Sequence, residues 1–324
     1  MSFGILITTY RESLRPGLLE RALEIASDRR VDEVVISDDA SEDLAATYDR
    51  VQRLGPELRA KLKFVTQPEN LGVFGNKLSA LRAAQSDWVQ SLDSDNCLSA
   101  TYLDRLFPFL GDPDRVLCPT FARPEFDYRE RAGGSVTLVN FPEFLRCRWF
   151  GCFMNTGNQC CHRETMLAVL KDLPALRHDR YLHDYFATDA LSDSDHRKVY
   201  DSADSLLFNK LWLEGGRRLY LGPGLEYDHA IHQASSWLRA PGLKAVMPGI
   251  YFRELLDARA KIQRRFRYLT SKRWEGGDCA ELLVNGNVED RIHVDYATGH
   301  EVQPLVPRPP ERPVSTRRFR RRRF

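Results

Sequence analysis

The sequence has no apolar run approaching the roughly 18 residues that a membrane-spanning helix needs. It has no internal repeat and no Cys-x-x-Cys pair. Seven cysteines are scattered at 97, 118, 147, 152, 160, 161 and 279, an odd number with no framework spacing. That pattern excludes a disulfide scaffold or a structural zinc site; it predicts reduced thiols with no disulfide partner, and a cytoplasmic setting. The first seven residues carry no basic segment and no small-residue cleavage site, so no signal peptide is expected. Within 324 residues, 43% are hydrophobic and 28% charged. This is globular material with enough for a core, and it excludes collagen-like, low-complexity and wholly disordered chains. The net charge of +2 hides an imbalance. Residues 301–324 hold eight arginines against two glutamates, a net of +6, which leaves −4 for residues 1–300.

Short β-branched apolar runs at 3–8, 31–37, 62–66 and 87–92 read as strands. Segments with helical spacing lie between them at 18–26, 43–54 and 77–85. This alternation predicts parallel βαβ units, hence an α/β sheet with helices on both faces. After residue 110 the pattern loosens into turns and short strands, with helices expected at 162–171 and 202–214. A basic amphipathic helix is expected at 250–273, a hairpin at 280–296 around Asn285-Gly286-Asn287, and a disordered Arg-rich tail from 301. The division that follows is residues 1–110, 111–245, 246–300 and 301–324.

The polar residues cluster where these strands end. Thr8-Thr9-Tyr10-Arg11-Glu12 follows the first strand and Asp38-Asp39-Ala40-Ser41 the second. Asn70-Leu71-Gly72 through Asn76 follows the third, and Asp93-Ser94-Asp95-Asn96 the fourth. Ligands of open parallel sheets bind outside the carboxyl ends of the strands, so the four clusters converge on one candidate site. Asp93 and Asp95, two apart on extended chain, present both carboxylates to one side, a hard donor set suited to Mg²⁺ or Mn²⁺. Chance alone gives roughly two Asp-x-Asp matches in a chain of this composition. The other two, Asp112–Asp114 and Asp193–Asp195, read as a turn and a loop. Only Asp93–Asp95 ends an apolar strand.

Ile-Thr-Thr-Tyr at 7–10, Ser-Asp-Asp-Ala-Ser at 37–41, Asn-Leu-Gly at 70–72 and Asp-Ser-Asp at 93–95 together resemble the donor half of a family-2 glycosyltransferase of the GT-A fold. The resemblance implies a Rossmann-like, mostly parallel sheet with a C-terminal helical and β extension. It implies that Thr8, Thr9 and Tyr10 line a nucleoside pocket, with Glu12, Asn70, Gly72, Asn76 and Ser94 in the same donor-binding set. Asp39, or else Asp38, would hydrogen-bond the base. Asp93 and Asp95 would meet ribose and metal, Asp95 as the direct ligand. The likeness continues at residues 157–164, at Asp201-Ser202-Ala203-Asp204 and at residues 227–236. There it implies Asp204, or alternatively Asp201, as catalytic base, and His229 or His232 as the histidine that reaches metal or diphosphate. Ala203 stands where the family carries the first residue of a Glu-Asp pair.

The activity so implied is inverting, metal-dependent transfer of a sugar from a nucleoside-diphosphate donor, a UDP-sugar first. The acceptor would be a hydroxyl on a glycan, a lipid-linked or another polymeric molecule. The Arg-rich tail suits an anionic membrane surface or nucleic acid. This admits peripheral attachment at the inner face of a membrane and, alternatively, a nucleic-acid-modifying transferase. A degenerate domain kept as a binding module is the non-enzymatic alternative. A sugar-nucleotide-forming nucleotidyltransferase would need a Gly-rich loop after the first strand, and Thr8-Thr9-Tyr10-Arg11 has no glycine.

Overall fold

The structure, a computed structural model, describes residues 1–14, 17–123, 126–147, 150–171, 182, 186, 191–230 and 241–270. The hairpin at 280–296, the tail and His232 lie outside the described residues, as does Cys279. Among the described residues there are twelve strands. They are β1 (Phe3–Thr9), β2 (Glu33–Asp38), β3 (Leu62–Thr66), β4 (Trp88–Asp93), β5 (Asn96–Leu98), β6 (Arg115–Cys118), β7 (Phe121–Arg123), β8 (Phe126–Asp127), β9 (Ser135–Thr137), β10 (Cys160–His162), β11 (Arg218–Leu221) and β12 (Glu226–His229).

Eight of them form one sheet in the order β3-β2-β1-β4-β10-β6-β11-β9. β3, β2, β1 and β4 run parallel, and β11 runs parallel to β6. β10 enters antiparallel between β4 and β6, and β9 closes the edge antiparallel to β11. The near-continuous burial of β1 and β2 is what a parallel strand covered on both faces requires. A second sheet, β5-β12-β7-β8, holds the short strands that leave the main sheet after β4.

The helix Gly72–Ala83 packs on β1 and β2. The helices Asp193–Ser202 and Asp204–Glu214 cover it, and the long helix Pro241–Thr270 packs on both of those. Lys210, 2% exposed, ties the helix Asp204–Glu214 to the long helix by salt bridges to Glu214 at 2.9 Å and Glu254 at 2.8 Å. Residues 202–214 do not form one helix: the chain breaks at Ala203, φ −151° and ψ 52°. Asp193–Asp195 is no loop either. Ser192 accepts from the Asp195 N–H while Asp195 accepts from the Ser192 N–H, a capping box that starts the helix. Asp112 forms the expected turn, accepting the Asp114 N–H at 3.1 Å. The six described cysteines are free thiols. No described helix is long and apolar enough to cross a membrane.

Candidate active site

Strand register brings the polar clusters together. Thr8 of β1 lies opposite Asp93 of β4, and Thr9 lies opposite Asp38 of β2. Asp38 is fully buried and its carboxylate builds the turn. Oδ1 accepts the Ser41 N–H at 2.7 Å, and Oδ2 accepts the hydroxyls of Ser41 at 2.7 Å and Thr9 at 3.0 Å. Ser41 in turn accepts the Arg11 N–H at 2.8 Å. Arg11 and Ala40 hold left-handed φ values of 54° and 55°, a strain that this network offsets. The Tyr10 ring faces the Arg11 guanidinium at 5.1 Å.

Asp39 points the other way, into the loop after β3. Its carboxylate accepts the N–H groups of Leu71 at 2.6 Å and Gly72 at 3.0 Å, and its carbonyl accepts Asn70 Nδ2 at 3.2 Å. Burial raises the Asp39 carboxyl to about 6, against the two backbone amides that lower it. Asn76 ties the cluster from beneath. It donates to the carbonyls of Thr9 and Ser37 and accepts the Ser37 hydroxyl at 2.7 Å.

At the end of β4, Lys77 Nζ lies 3.0 Å from Asp93 Oδ1 and 2.7 Å from Asp204 Oδ2. It also donates to Ser205 Oγ at 3.3 Å. Burial pulls the ammonium down, but the charges of Asp204 and Asp93 outweigh it and the net shift is upward. Burial pushes Asp93 up, in opposition to Lys77. Gly157 leaves room for this cluster: a Cβ there would sit 2.6 Å from Lys77 Nζ and 2.7 Å from Asp93 Oδ2. A cavity of about 30 Å³ continues behind Lys77, lined partly by Ser91, Thr156, Gln159 and Ser205, with space for a water and polar groups to hold it. The Asp93 N–H donates to Asn158 Oδ1 at 3.3 Å. Ser94 donates to the buried Glu12 carboxylate at 2.6 Å, so Glu12 holds the Asp-Ser-Asp turn from within.

The second sheet brings His229 beside this turn. β12 pairs with β5 so that His229 lies opposite Asn96, and the Ala230 N–H donates to the Asp95 carbonyl at 2.9 Å. His229 Nδ1 lies 2.6 Å from Asn96 Oδ1. An amide oxygen only accepts, so Nδ1 is the donor of this bond. Among the described residues no three His, Cys, Asp or Glu side chains form a closed metal cluster. A hard divalent ion held by one or two protein ligands and substrate phosphates does not need one, and the bond from the Ala230 N–H to the Asp95 carbonyl sets the end of β12 beside the Asp-Ser-Asp turn that would offer such a ligand. Asp93 turns Oδ1 to Lys77. Asp201 is not beside Asp204's partner Lys77 but at the loop after β3, where it accepts the Phe74 N–H at 3.0 Å.

Lys77 was not legible as a site residue, and Gly157 and Asn158 read only as part of the likeness at residues 157–164. Lys77 precedes the apolar stripe Leu78, Leu81 and Ala84 and reads as solvated helix surface; its one signal is a place on the first turns of a helix that starts at the carboxyl edge.

The sequence profile of "Glycosyl transferase family 2" matches residues 4–168, half of the chain, which takes in the site residues from Thr8 to Asn158 but not Asp201, Asp204 or His229. The chain belongs to glycosyl transferase family 2. It is a glycosyltransferase of the GT-A fold. Among solved structures it is similar to S. aureus TarS 1–349 in complex with UDP-GlcNAc, with 16% identity, 83% of this chain and 73% of that one covered, and a TM-score of 0.51. S. aureus TarS 1–349 in complex with UDP gives 15% identity, 90% and 77% coverage, and a TM-score of 0.50. Against the longer TarS chain the glycosyltransferase spans 42% of the length. Among curated proteins no significant match is found.

Proposed function

We propose that this glycosyltransferase moves a sugar from a nucleoside-diphosphate donor to an acceptor hydroxyl, with inversion at the anomeric carbon. The observation that carries the reading is the Lys77 bridge, which joins Asp93 at the donor edge to Asp204 by ion pairs of 3.0 and 2.7 Å. Thr8, Thr9, Tyr10 and Asp39 would line the nucleoside, and Asp93 the ribose. Asp95 and His229 would hold Mn²⁺ or Mg²⁺; when bound, such an ion neutralises charge on the departing diphosphate. Asp204 Oδ2 is occupied by Lys77 and the Ser205 hydroxyl, which leaves Oδ1 to take the acceptor proton. One attack opposite the leaving group inverts the centre without a covalent sugar–enzyme intermediate.

A UDP-sugar is the donor to test first, since the fold is shared with TarS, solved with UDP and UDP-GlcNAc. The acceptor is a hydroxyl of a glycan, lipid-linked or other polymeric molecule. The net +6 of residues 301–324 supports attachment to an anionic lipid leaflet, read by vesicle co-sedimentation with nucleic acid as the competing surface. The direct test is release of nucleoside diphosphate from a panel of UDP-, GDP- and dTDP-sugars with Mn²⁺. Release from at least one donor, abolished by chelation, is expected. No release from any donor, with or without an acceptor panel, would leave a binding module.

A further inference from the structure

Asp201 ends the helix Asp193–Ser202, yet its carboxylate reaches a loop 127 residues earlier in the chain. Oδ1 accepts the Phe74 N–H at 3.0 Å. The carboxylate packs so closely on Gly72, which holds φ +80°, that a Cβ there would overlap it. From the other side Asp39 holds the N–H groups of Leu71 and Gly72. Arg197, one turn before Asp201 on the same helix, donates to the Asn70 carbonyl. The segment 70–74, a loop end and the first turn of the helix Gly72–Ala83, is thus gripped by Asp39 from residues 1–110 and by Asp201 and Arg197 from residues 111–245. These contacts leave Asp201 with a backbone amide where a base would need its acceptor, whereas Asp204 keeps Oδ1 available.

We infer that Asp201 is a positioning residue, which holds the loop 70–74 in the shape that aims Asp39 at the donor nucleoside. This rests on the nucleotide-sugar reading above and assigns Asp201 no part in proton transfer. It also couples the two halves: movement of the helix Asp193–Ser202 would be felt in donor affinity before it is felt in the chemical step.

The test compares wild type, Asp201→Ala and Asp201→Asn in the full chain. It measures donor KM, kcat, and amide hydrogen exchange of residues 70–76. Asparagine keeps an oxygen for the Phe74 N–H; alanine does not, and Asp201→Ser, too short to reach, replaces alanine if that variant fails to fold. We expect Asp201→Ala to raise donor KM about fivefold or more with kcat within about twofold. Exchange of residues 70–76 should quicken about tenfold in the same variant, while Asp201→Asn stays near wild type in all three. Unchanged KM and exchange in Asp201→Ala would overturn the inference. A loss of kcat of about a hundredfold in Asp201→Asn at unchanged KM would make Asp201 the base instead. If wild type bound no nucleoside diphosphate, the donor reading would fail separately, and the exchange measurement would still decide whether Asp201 holds the loop.

Discussion

At the scale of single residues, the site depends on one buried cation shared by two carboxylates. Removing one partner of a buried ion pair leaves uncompensated charge and costs about 3–5 kcal/mol. Lys77→Met leaves Asp93 and Asp204 facing each other without a counter-charge, so it should lose stability of that order as well as turnover. Asp204→Asn separates the two effects. It retains a polar partner for Lys77 and no basic oxygen, so it should keep donor affinity and melting temperature near wild type while kcat falls about a thousandfold. Calorimetric titration of donor beside steady-state kinetics reads both variants. Near-normal turnover of Asp204→Asn would remove it as the base.

At the scale of elements, the loop and helix after β3 show both how far sequence reading goes and where it stops. The apolar stripe Leu78, Leu81 and Ala84 was enough to predict a helix, but its start at residue 77 was five residues late. Gly72 and Phe74 look like poor helix openings until Asp39 and Asp201 are known to accept the first amide protons. Those caps come from the turn after the second strand and from residue 201, so no local window contains them. The capping box at Ser192 and Asp195, by contrast, was local, yet the spacing of the two aspartates reads as a loop. The four polar strand ends were legible because parallel βαβ order forces them to one edge. Lys77 was not, because its partners Asp93 and Asp204 are distant in sequence. The two loop carboxylates also make a prediction. Burial raises Asp39 to about 6 and Asp201 to about 7. In the unfolded chain both titrate near 4. Across that window the folded state binds more protons than the unfolded one, so this pair destabilises the fold as pH rises from about 4 to 7. The ligand-free melting temperature should therefore fall between pH 5 and 7.5 from this contribution, and Asp201→Asn should flatten the slope. A steeper slope in Asp201→Asn would contradict the assignment.

At the scale of the whole molecule, an edge of four parallel strands supplies the candidate donor-binding groups, the four-stranded second sheet supplies His229, and two packed helices supply Asp201 and Asp204. Their convergence is what turns ordinary turn residues into a candidate grip for a nucleoside diphosphate. Titration calorimetry of UDP into wild type, Asp39→Ala and Asp95→Ala, each with and without Mn²⁺, tests that convergence most directly. Wild type should bind UDP only weakly without the ion and at least about tenfold more tightly with it. Asp95→Ala should lose the enhancement, and Asp39→Ala should weaken binding in both conditions. UDP affinity that is unchanged by both substitutions would mean that the nucleotide is held elsewhere, and the account would be wrong.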